Sequence, residues 1–526
     1  MSIDSRVFPD EQLPEGSVVD GETVTSPIDE TFDFVVIGSG AAGGTAAWTL
    51  VQAGYSVAIV EEGPWVKTRE FDRRIFPSFK RMFREAGTQA LMGNSIIPLL
   101  QGRVVGGSTL VNSAIVWRTP DDVLDDWSKN WGLGGAITER DLDPHFAAIE
   151  EELKVHAVLD EALGENNRLF VDNSFKGGFV GTRMRRYENA CKGAGQCLTG
   201  CPNAAKQGMN VSYVPWSLRK GARIFTSVRV DRVAIKNGRA VGVVGSTTAT
   251  NPKHAKKIPV VVHARRGVFL AASTIQTPNV LRRSGIKNPH LGEHFMAHPG
   301  LGLPGIFGQK VDMHFGATQG AETIDFRKSE RFKLETISMQ PELAAVRIPG
   351  VGRELVSRLT TLPHAAIWVA QIRATAQGSI RPGFGGRDMV RYSMAKEDVA
   401  AARKAAALIA RLFFESGAKE VWPGIHGLPE IIRSMDEVKL IENAPLDSRH
   451  YSFIASHLFG AARMAASERD GVVGLDFSTH AAKGLYVVDS SIFPTNLGVN
   501  PQHSIMGLAR LAATRVAADP LAIAAA

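Results

Sequence analysis

A chain of 526 residues is too long for one small domain and suits two domains sharing a large core. With 44% hydrophobic, 21% charged and 7% aromatic residues its composition is ordinary for a globular protein, which excludes a disordered or fibrous chain. The formal charge of +7 is uneven: residues 1–72 hold thirteen Asp or Glu against three Lys or Arg, and basic clusters follow at 73–84, 183–192 and 253–266. No nucleic-acid motif accompanies these clusters, so they read as solvated loops, with no nucleic-acid partner. There is no run of 18 apolar residues, and the N-terminus leads into an acidic segment instead of a basic and then apolar leader. The expectation is a cytoplasmic protein with no membrane span.

In chain order, residues 1–30 read as a tail or strap over the surface. Phe32-Asp33-Phe34-Val35-Val36-Ile37 predicts a strand, residues 41–53 a helix and residues 56–60 a second strand. Two parallel strands need a helical crossover, so this is a βαβ unit. A helix is expected at 139–155 and a β-meander over 223–270. The Ala-rich stretch 396–415 predicts a long helix, with Asp398 near its positive end and Gly417 just past its last turn. A strand at 484–489 and a helix over 502–518 close the chain.

Gly38-Ser39-Gly40-Ala41-Ala42-Gly43 follows the first strand and opens the first helix. Gly38 makes the turn, Gly40 lets the backbone approach a pyrophosphate, and Gly43 lets helix pack on strand. The pyrophosphate would sit on the exposed amides of the helix N-terminus. Glu61 ends the second strand, where a carboxylate accepts hydrogen bonds from a ribose diol. These features point to a dinucleotide without separating NAD from FAD.

Distant segments separate them. Arg103-Val104-Val105-Gly106-Gly107-Ser108-Thr109-Leu110-Val111-Asn112 is a second Gly-rich turn. Ala455-Ser456-His457-Leu458-Phe459-Gly460, then Tyr486-Val487-Val488-Asp489-Ser490-Ser491, then Gly498-Val499-Asn500-Pro501 follow near the C-terminus. This ordered set resembles the glucose–methanol–choline (GMC) oxidoreductases over residues 32–518. The resemblance implies an α/β fold with a Rossmann-type FAD-binding domain and an inserted α+β substrate domain. It assigns residues 1–30 to the tail, 31–120, 202–298 and 446–526 to the discontinuous FAD domain, and 121–201 with 299–445 to the substrate domain.

Position by position, the resemblance implies that Gly38, Gly40, Gly43 and Glu61 bind the ADP half of FAD. It sets Gly106, Gly107 and Asn112 beside the isoalloxazine and the Val230 backbone at the adenine. Asp489 falls near the pyrophosphate and ribityl chain, and Asn500 with Pro501 at the pyrimidine end. His457 matches the family's catalytic base, whose pKa suits proton removal while flavin takes the hydride. Asn500 fits the partner position, with His503 as a rival. His298 is expected to anchor the domain junction. Two positions depart from the pattern: Ala272-Ser273 stands for the usual Ala-Gly, and His457-Leu458 for the usual His-Pro.

The chain's three cysteines are Cys191, Cys197 and Cys201, spaced Cys-x5-Cys-x3-Cys-Pro with Gly193, Gly195 and Gly200 turning between them. Clustered thiolates with a trailing proline suit an iron–sulfur site, and the segment resembles the loop of GMC sugar dehydrogenases that holds a [3Fe-4S] cluster. Zinc, with no obvious fourth ligand, and a metal-free loop are the alternatives. The function implied is FAD-dependent oxidation of an alcohol to a carbonyl. Aliphatic stretches at 337–348, 355–362 and 365–372 suggest a hydrophobic or aromatic alcohol, with a sugar as the alternative. A hydroxynitrile-lyase-like reaction, a photodecarboxylase and an electron-carrying subunit are rival readings. The electron acceptor (dioxygen, a quinone or a protein) is left open.

Overall fold

The structure is a computed structural model that describes residues 7–248, 257–383 and 387–519. The first six residues of the expected tail, residues 253–256 of the third basic cluster and the Ala-rich end at 520–526 lie outside the described residues.

The first of two large sheets grows from the βαβ unit. Ile28–Ile37 pairs in parallel with Val57–Val60 on one side and with Pro259–Leu270 on the other. Phe34, Val35 and Val36 are fully buried, as strands are when both faces of a parallel sheet are covered. Arg223–Thr226 extends the parallel order, and Val18–Asp20 pairs beyond it. Part of the segment expected to be a tail is therefore an edge strand, and the first strand begins four residues earlier than its apolar run suggests. Val228–Lys236, Arg239–Thr247 and Pro259–Leu270 pair antiparallel, which is the expected meander. Ala482–Val487 returns from the far end of the chain to lie parallel to Pro259–Leu270. The helices Ala41–Gln52 and Gln502–Ala518 pack on one another over this sheet.

The second sheet is largely antiparallel and collects strands from distant segments: Gln89–Met92, Ile96–Leu99, Met296–Ile306, Phe332–Thr336, Ala365–Ile372 and Ile454–Phe459. Residues 89–99 and 454–459, grouped by sequence with the dinucleotide domain, thus build the other sheet, and the boundary set at residue 298 falls inside a strand. A chain that crosses between layers several times leaves no change of composition at the crossings. Lys396–Glu415 forms over the expected span and packs on this sheet, with Phe413 stacked on the buried Trp368 at 4.0 Å. Truncating such a ring to alanine costs about 3–5 kcal/mol. Asp398 does more than meet the helix dipole: it is buried, with Oδ1 accepting from Arg331 at 3.1 Å and from the Thr375 amide at 2.9 Å. Among the described residues, no helix is long and apolar enough to cross a membrane.

Candidate functional site

A cavity of about 1000 Å³ is lined by residues of both sheets. At one end the backbone shapes it. Gly38 takes a φ of +93°, and a Cβ there would stand 2.4 Å from the Ala271 carbonyl oxygen. A Cβ on Gly43 would come within 1.9 Å of the Gly38 oxygen, so only glycine lets this helix sit on its strand. Ala41–Gln52 begins at Gly40 with no side-chain cap and no acid in its first turn. Its free N–H groups and positive dipole end open onto the cavity, which Gly38, Gly40, Ala41 and Ala42 line. This is a receptor for an anion such as a pyrophosphate.

Glu61 is buried beside it, and burial raises its pKa. Its Oε2 accepts from the Ser39 amide at 3.0 Å and the Ser39 hydroxyl at 2.7 Å, while Oε1 accepts from the Gly63 amide at 2.8 Å. Ser39 Oγ in turn accepts from the Gly106 amide at 2.9 Å, which ties the two Gly-rich loops together. Gly107 has a φ of +52°, and a Cβ on it would lie 2.9 Å from Gly40 Cα. Gly43 and Gly106 therefore shape the loops from behind, whereas Gly107, Asn112, Val230, Asp489, Asn500 and Pro501 face the cavity.

Asn112 donates to Gln502 Oε1 at 2.6 Å and accepts from the Ala114 amide at 3.0 Å, which fixes its amide. Asp489 is buried with its pKa raised by that burial; it accepts from Thr277 Oγ1 at 2.5 Å and from the amides of Ser491 and Ser273 at 2.9 and 3.0 Å. Ser273, where the family pattern has glycine, keeps a glycine-like φ of +86°. Its hydroxyl donates to Gln276 Oε1 at 2.5 Å and accepts from Gln101 at 3.1 Å, bonds a glycine could not make.

At the other end side chains shape the cavity. His457, on Ile454–Phe459, is half-buried on its wall, and burial lowers its pKa to about 4. His298 lies behind it on the adjacent strand, with the two Nδ1 atoms 3.4 Å apart. Nε2 of His298 is 3.3 Å from Asn496 Oδ1 and 3.0 Å from the Gly498 amide. The residue expected only to anchor a junction is thus in direct contact with the expected base.

Asn500 lines the cavity; His503 does not. The helix that starts at Gln502 turns His503 toward Glu139–Glu152. There its Nδ1 is 2.6 Å from Tyr187 Oη, its Nε2 is 3.1 Å from Glu150 Oε1, and its ring stacks on Phe146 at 4.7 Å. With both nitrogens engaged and no face on the cavity, His503 is not placed to be the partner that the sequence offered beside Asn500.

A buried ionic cluster under Asn500 has no counterpart in the sequence reading. Lys333 Nζ donates to Asn500 Oδ1 at 2.6 Å and to Glu335 Oε1 at 2.7 Å, and it pairs with the Glu322 carboxylate. Glu322 also accepts from Trp117 Nε1 at 2.9 Å, and Glu335 from Gln319 Nε2 at 2.7 Å. The alternation Phe332-Lys333-Leu334-Glu335-Thr336 reads as a half-exposed strand, yet all five residues are buried. Lys and Glu two apart on one strand face were the available signal. The apolar remainder of the wall includes Leu301, Ile337, Met339, Leu343, Ile367 and Val369. Of the three aliphatic stretches, 355–362 contributes nothing to it.

The three cysteines border a separate cleft of about 10 Å³. That is room for about one water molecule, not for three irons and four sulfides. Cys197 accepts a hydrogen bond from Arg186 at 3.3 Å, and its pKa is lowered by the nearby Arg186 and Lys206 against the cost of burial. Burial pushes the Cys191 thiol up to about 12. Among the described residues, no group of three or more His, Cys, Asp or Glu is arranged to hold a metal ion. The [3Fe-4S] expectation for Cys191, Cys197 and Cys201 is not supported: spacing brought the thiols to one cleft, but that cleft has room for about one water and Cys197 bonds a guanidinium.

Two GMC oxidoreductase family profiles match, over residues 33–300 and 387–509. An uncharacterized GMC-type oxidoreductase of Mycobacterium tuberculosis is 34% identical over 98% of this chain and 80% of its own length. A long-chain-alcohol oxidase of Arabidopsis thaliana is 26% identical over 92% of this chain and 66% of its own. Among solved structures, the formate oxidase of Aspergillus oryzae superposes with a TM-score of 0.71 at 17% identity, over 93% of this chain and 98% of that one. The glycine turn, its uncapped helix and the paired sheets are thus those of a shared architecture, and this chain belongs to the GMC oxidoreductase family.

Proposed function

We propose that the protein binds FAD and oxidises a hydrophobic alcohol to its carbonyl. The observation that carries this reading is the meeting of three things on one cavity: an uncapped helix N-terminus beside Glu61, the pair His457 and Asn500, and an apolar wall. The residues fit the cofactor. The helix N-terminus suits a pyrophosphate, Glu61 retains one lone pair, on Oε1, for a ribose hydroxyl, and Val230 would meet the adenine. Gly107, Asn112, Asp489, Asn500 and Pro501 would hold the flavin half, with Gly106 shaping their loop from behind. The cavity volume is at the upper end for small-molecule sites, which leaves room for a substrate. Bound there, FAD supplies the acceptor for a hydride.

The protein's own work is to take the hydroxyl proton and to steady the oxygen that loses it. His457 is neutral above about pH 4, so it is unprotonated across the physiological range. Its Nδ1 faces His298 Nδ1 at 3.4 Å, and the Gly498 amide donates to His298 Nε2 at 3.0 Å, so the His298 hydrogen lies on Nδ1, toward His457. Asn500 donates its amide hydrogen toward the substrate oxygen. The likeness to a long-chain-alcohol oxidase and the apolar wall favour a long-chain or sterol alcohol over a sugar.

An anaerobic panel of long-chain alcohols, sterols and sugars, read by flavin absorbance, tests the reading. Bleaching is expected with the first two classes. A flavin left oxidised by every member would overturn it and return the lyase and electron-carrier readings. Reoxidation by dioxygen, a quinone and a dye, compared in the same cuvette, identifies the acceptor.

A further inference from the structure

We propose that Lys333 is a positioning residue for this oxidation: a buried ammonium that holds the Asn500 amide with its oxygen inward and its nitrogen toward Glu335 and the cavity. The inference rests on the reading of Asn500 given above.

An ammonium has three hydrogens to donate and no lone pair to accept with. Lys333 has three partners, namely Glu322, Glu335 and Asn500, so all its donors are used. The atom of Asn500 that faces it must be the carbonyl oxygen. A carboxamide flipped by half a turn has nearly the same shape, so packing alone does not choose between the two orientations. Lys333 does choose. The amide nitrogen is thereby turned the other way, on the side of Glu335, and both Asn500 and Glu335 border the cavity while Lys333 does not.

Burying one ammonium with two carboxylates is costly, and well-packed apolar side chains at such places are often as stable or more so. The cluster is therefore poorly explained as a stabilising device. Its two acids are not equivalent: burial raises the Glu322 pKa, whereas Lys333 brings that of Glu335 down against burial. The cluster also acts on the base. Besides burial, the groups that set the His457 pKa are Glu335, which raises it, and Lys333, which lowers it; His298 is the remaining titratable neighbour in contact.

The test uses the FAD-loaded protein and the alcohol that reduces it fastest. Lys333→Met is expected to keep its flavin and to slow anaerobic reduction by about 10–100-fold, the scale of losing one charge-assisted hydrogen bond. Asn500→Ala added to Lys333→Met should slow it little further, because both changes remove the same oriented amide. The acidic limb of the pH–rate profile should move upward, since the positive neighbour that depresses His457 is gone; the lack of additivity with Asn500→Ala is the readout that a merely structural lysine would not give. If Lys333→Met does not fold, Lys333→Met with Glu335→Gln, which removes both partners of one ion pair, is measured instead and should remain slow. Reduction at the wild-type rate by either variant, or effects of Lys333→Met and Asn500→Ala that simply multiply, would overturn the proposal. Failure of the alcohol reading looks different: no alcohol would bleach the unaltered protein.

Discussion

The two ends of the cavity are built by opposite means. At the dinucleotide end, main-chain atoms face the ligand space, and glycines at 38, 43 and 107 stand where any Cβ would collide with backbone. At the chemical end, side chains converge from strands that are far apart in sequence: His298, Lys333, His457 and, from the loop after Gly498, Asn500. The first end tolerates almost no change of residue type, because its chemistry is that of amides. The second depends on which atoms of each side chain face which neighbour, so it is sensitive to tautomer, amide orientation and charge.

Substitutions at neighbouring glycines sharpen this contrast, and they carry the largest expected effects. Gly40 has a φ of −71°, and a Cβ there would meet only Gly107 Cα at 3.8 Å. Gly40→Val should therefore fold yet fill the approach to the helix N-terminus, giving soluble protein without flavin. Gly43→Val places a Cβ 1.9 Å from a carbonyl oxygen and should lose the fold itself, by about 3 kcal/mol or more. Flavin absorbance and thermal unfolding of the two variants distinguish a ligand-facing glycine from a packing one. Normal flavin occupancy in Gly40→Val would break the assignment of this end.

His457→Ala should keep its flavin and lose about 10²–10⁴ in the rate of flavin reduction, or roughly 2.7–5.4 kcal/mol of transition-state stabilisation. The sign of the pH effect follows from the lowered pKa. His457 accepts a proton only when neutral, so reduction should hold down to mildly acid pH and fall as pH drops through about 4. A fall centred near the ordinary histidine value of about 6.5 would mean that His457 is more hydrated than its place on the wall implies.

Asn500 and His503 test how far a motif can be trusted. In sequence they are three residues apart and both fit the partner position; in space a helix start separates them and only Asn500 meets the cavity. Asn500→Ala should slow reduction by about 10–100-fold. His503→Ala should leave the rate nearly unchanged but lower the melting temperature, since it strands the buried Tyr187 hydroxyl and removes a ring stacked on Phe146, although Glu150 keeps Arg118 and Arg185. The reverse ranking would restore His503 as the partner.

Legibility in the sequence follows the same division. The glycine turn, Glu61, the meander and the helices at 396–415 and 502–518 were readable because each depends on residues near one another in the chain. The Lys333 cluster was not, since Glu322 and Trp117 are 205 residues apart and nothing local marks Lys333 as buried. The pairing of the strand at 454–459 was unreadable for a related reason: its motif names its chemistry, whereas its place in a sheet is set by Met296–Ile306.

The smallest expected effect belongs to the thiols, whose tight local spacing suggests a cluster that the cleft does not support. Cys191, Cys197 and Cys201 do share a cleft, but it holds about one water, and Arg186 and Lys206 supply the charge that a ligand would otherwise bring. Lys206 also donates to the carbonyls of Cys197 and Asn112 at 2.8 and 2.7 Å, so the loop braces the segment that carries Asn112. Read this way, Cys197→Ser exchanges one acceptor for another against Arg186. It should cost about 1 kcal/mol of stability and change anaerobic flavin reduction by less than about twofold. Protein prepared without oxygen should contain no stoichiometric iron or sulfide, in either the natural or the substituted form. Three irons per chain, lost together with dye reduction in Cys197→Ser, would show that the cleft opens around a cluster and that the spacing, not the packing, was the better guide.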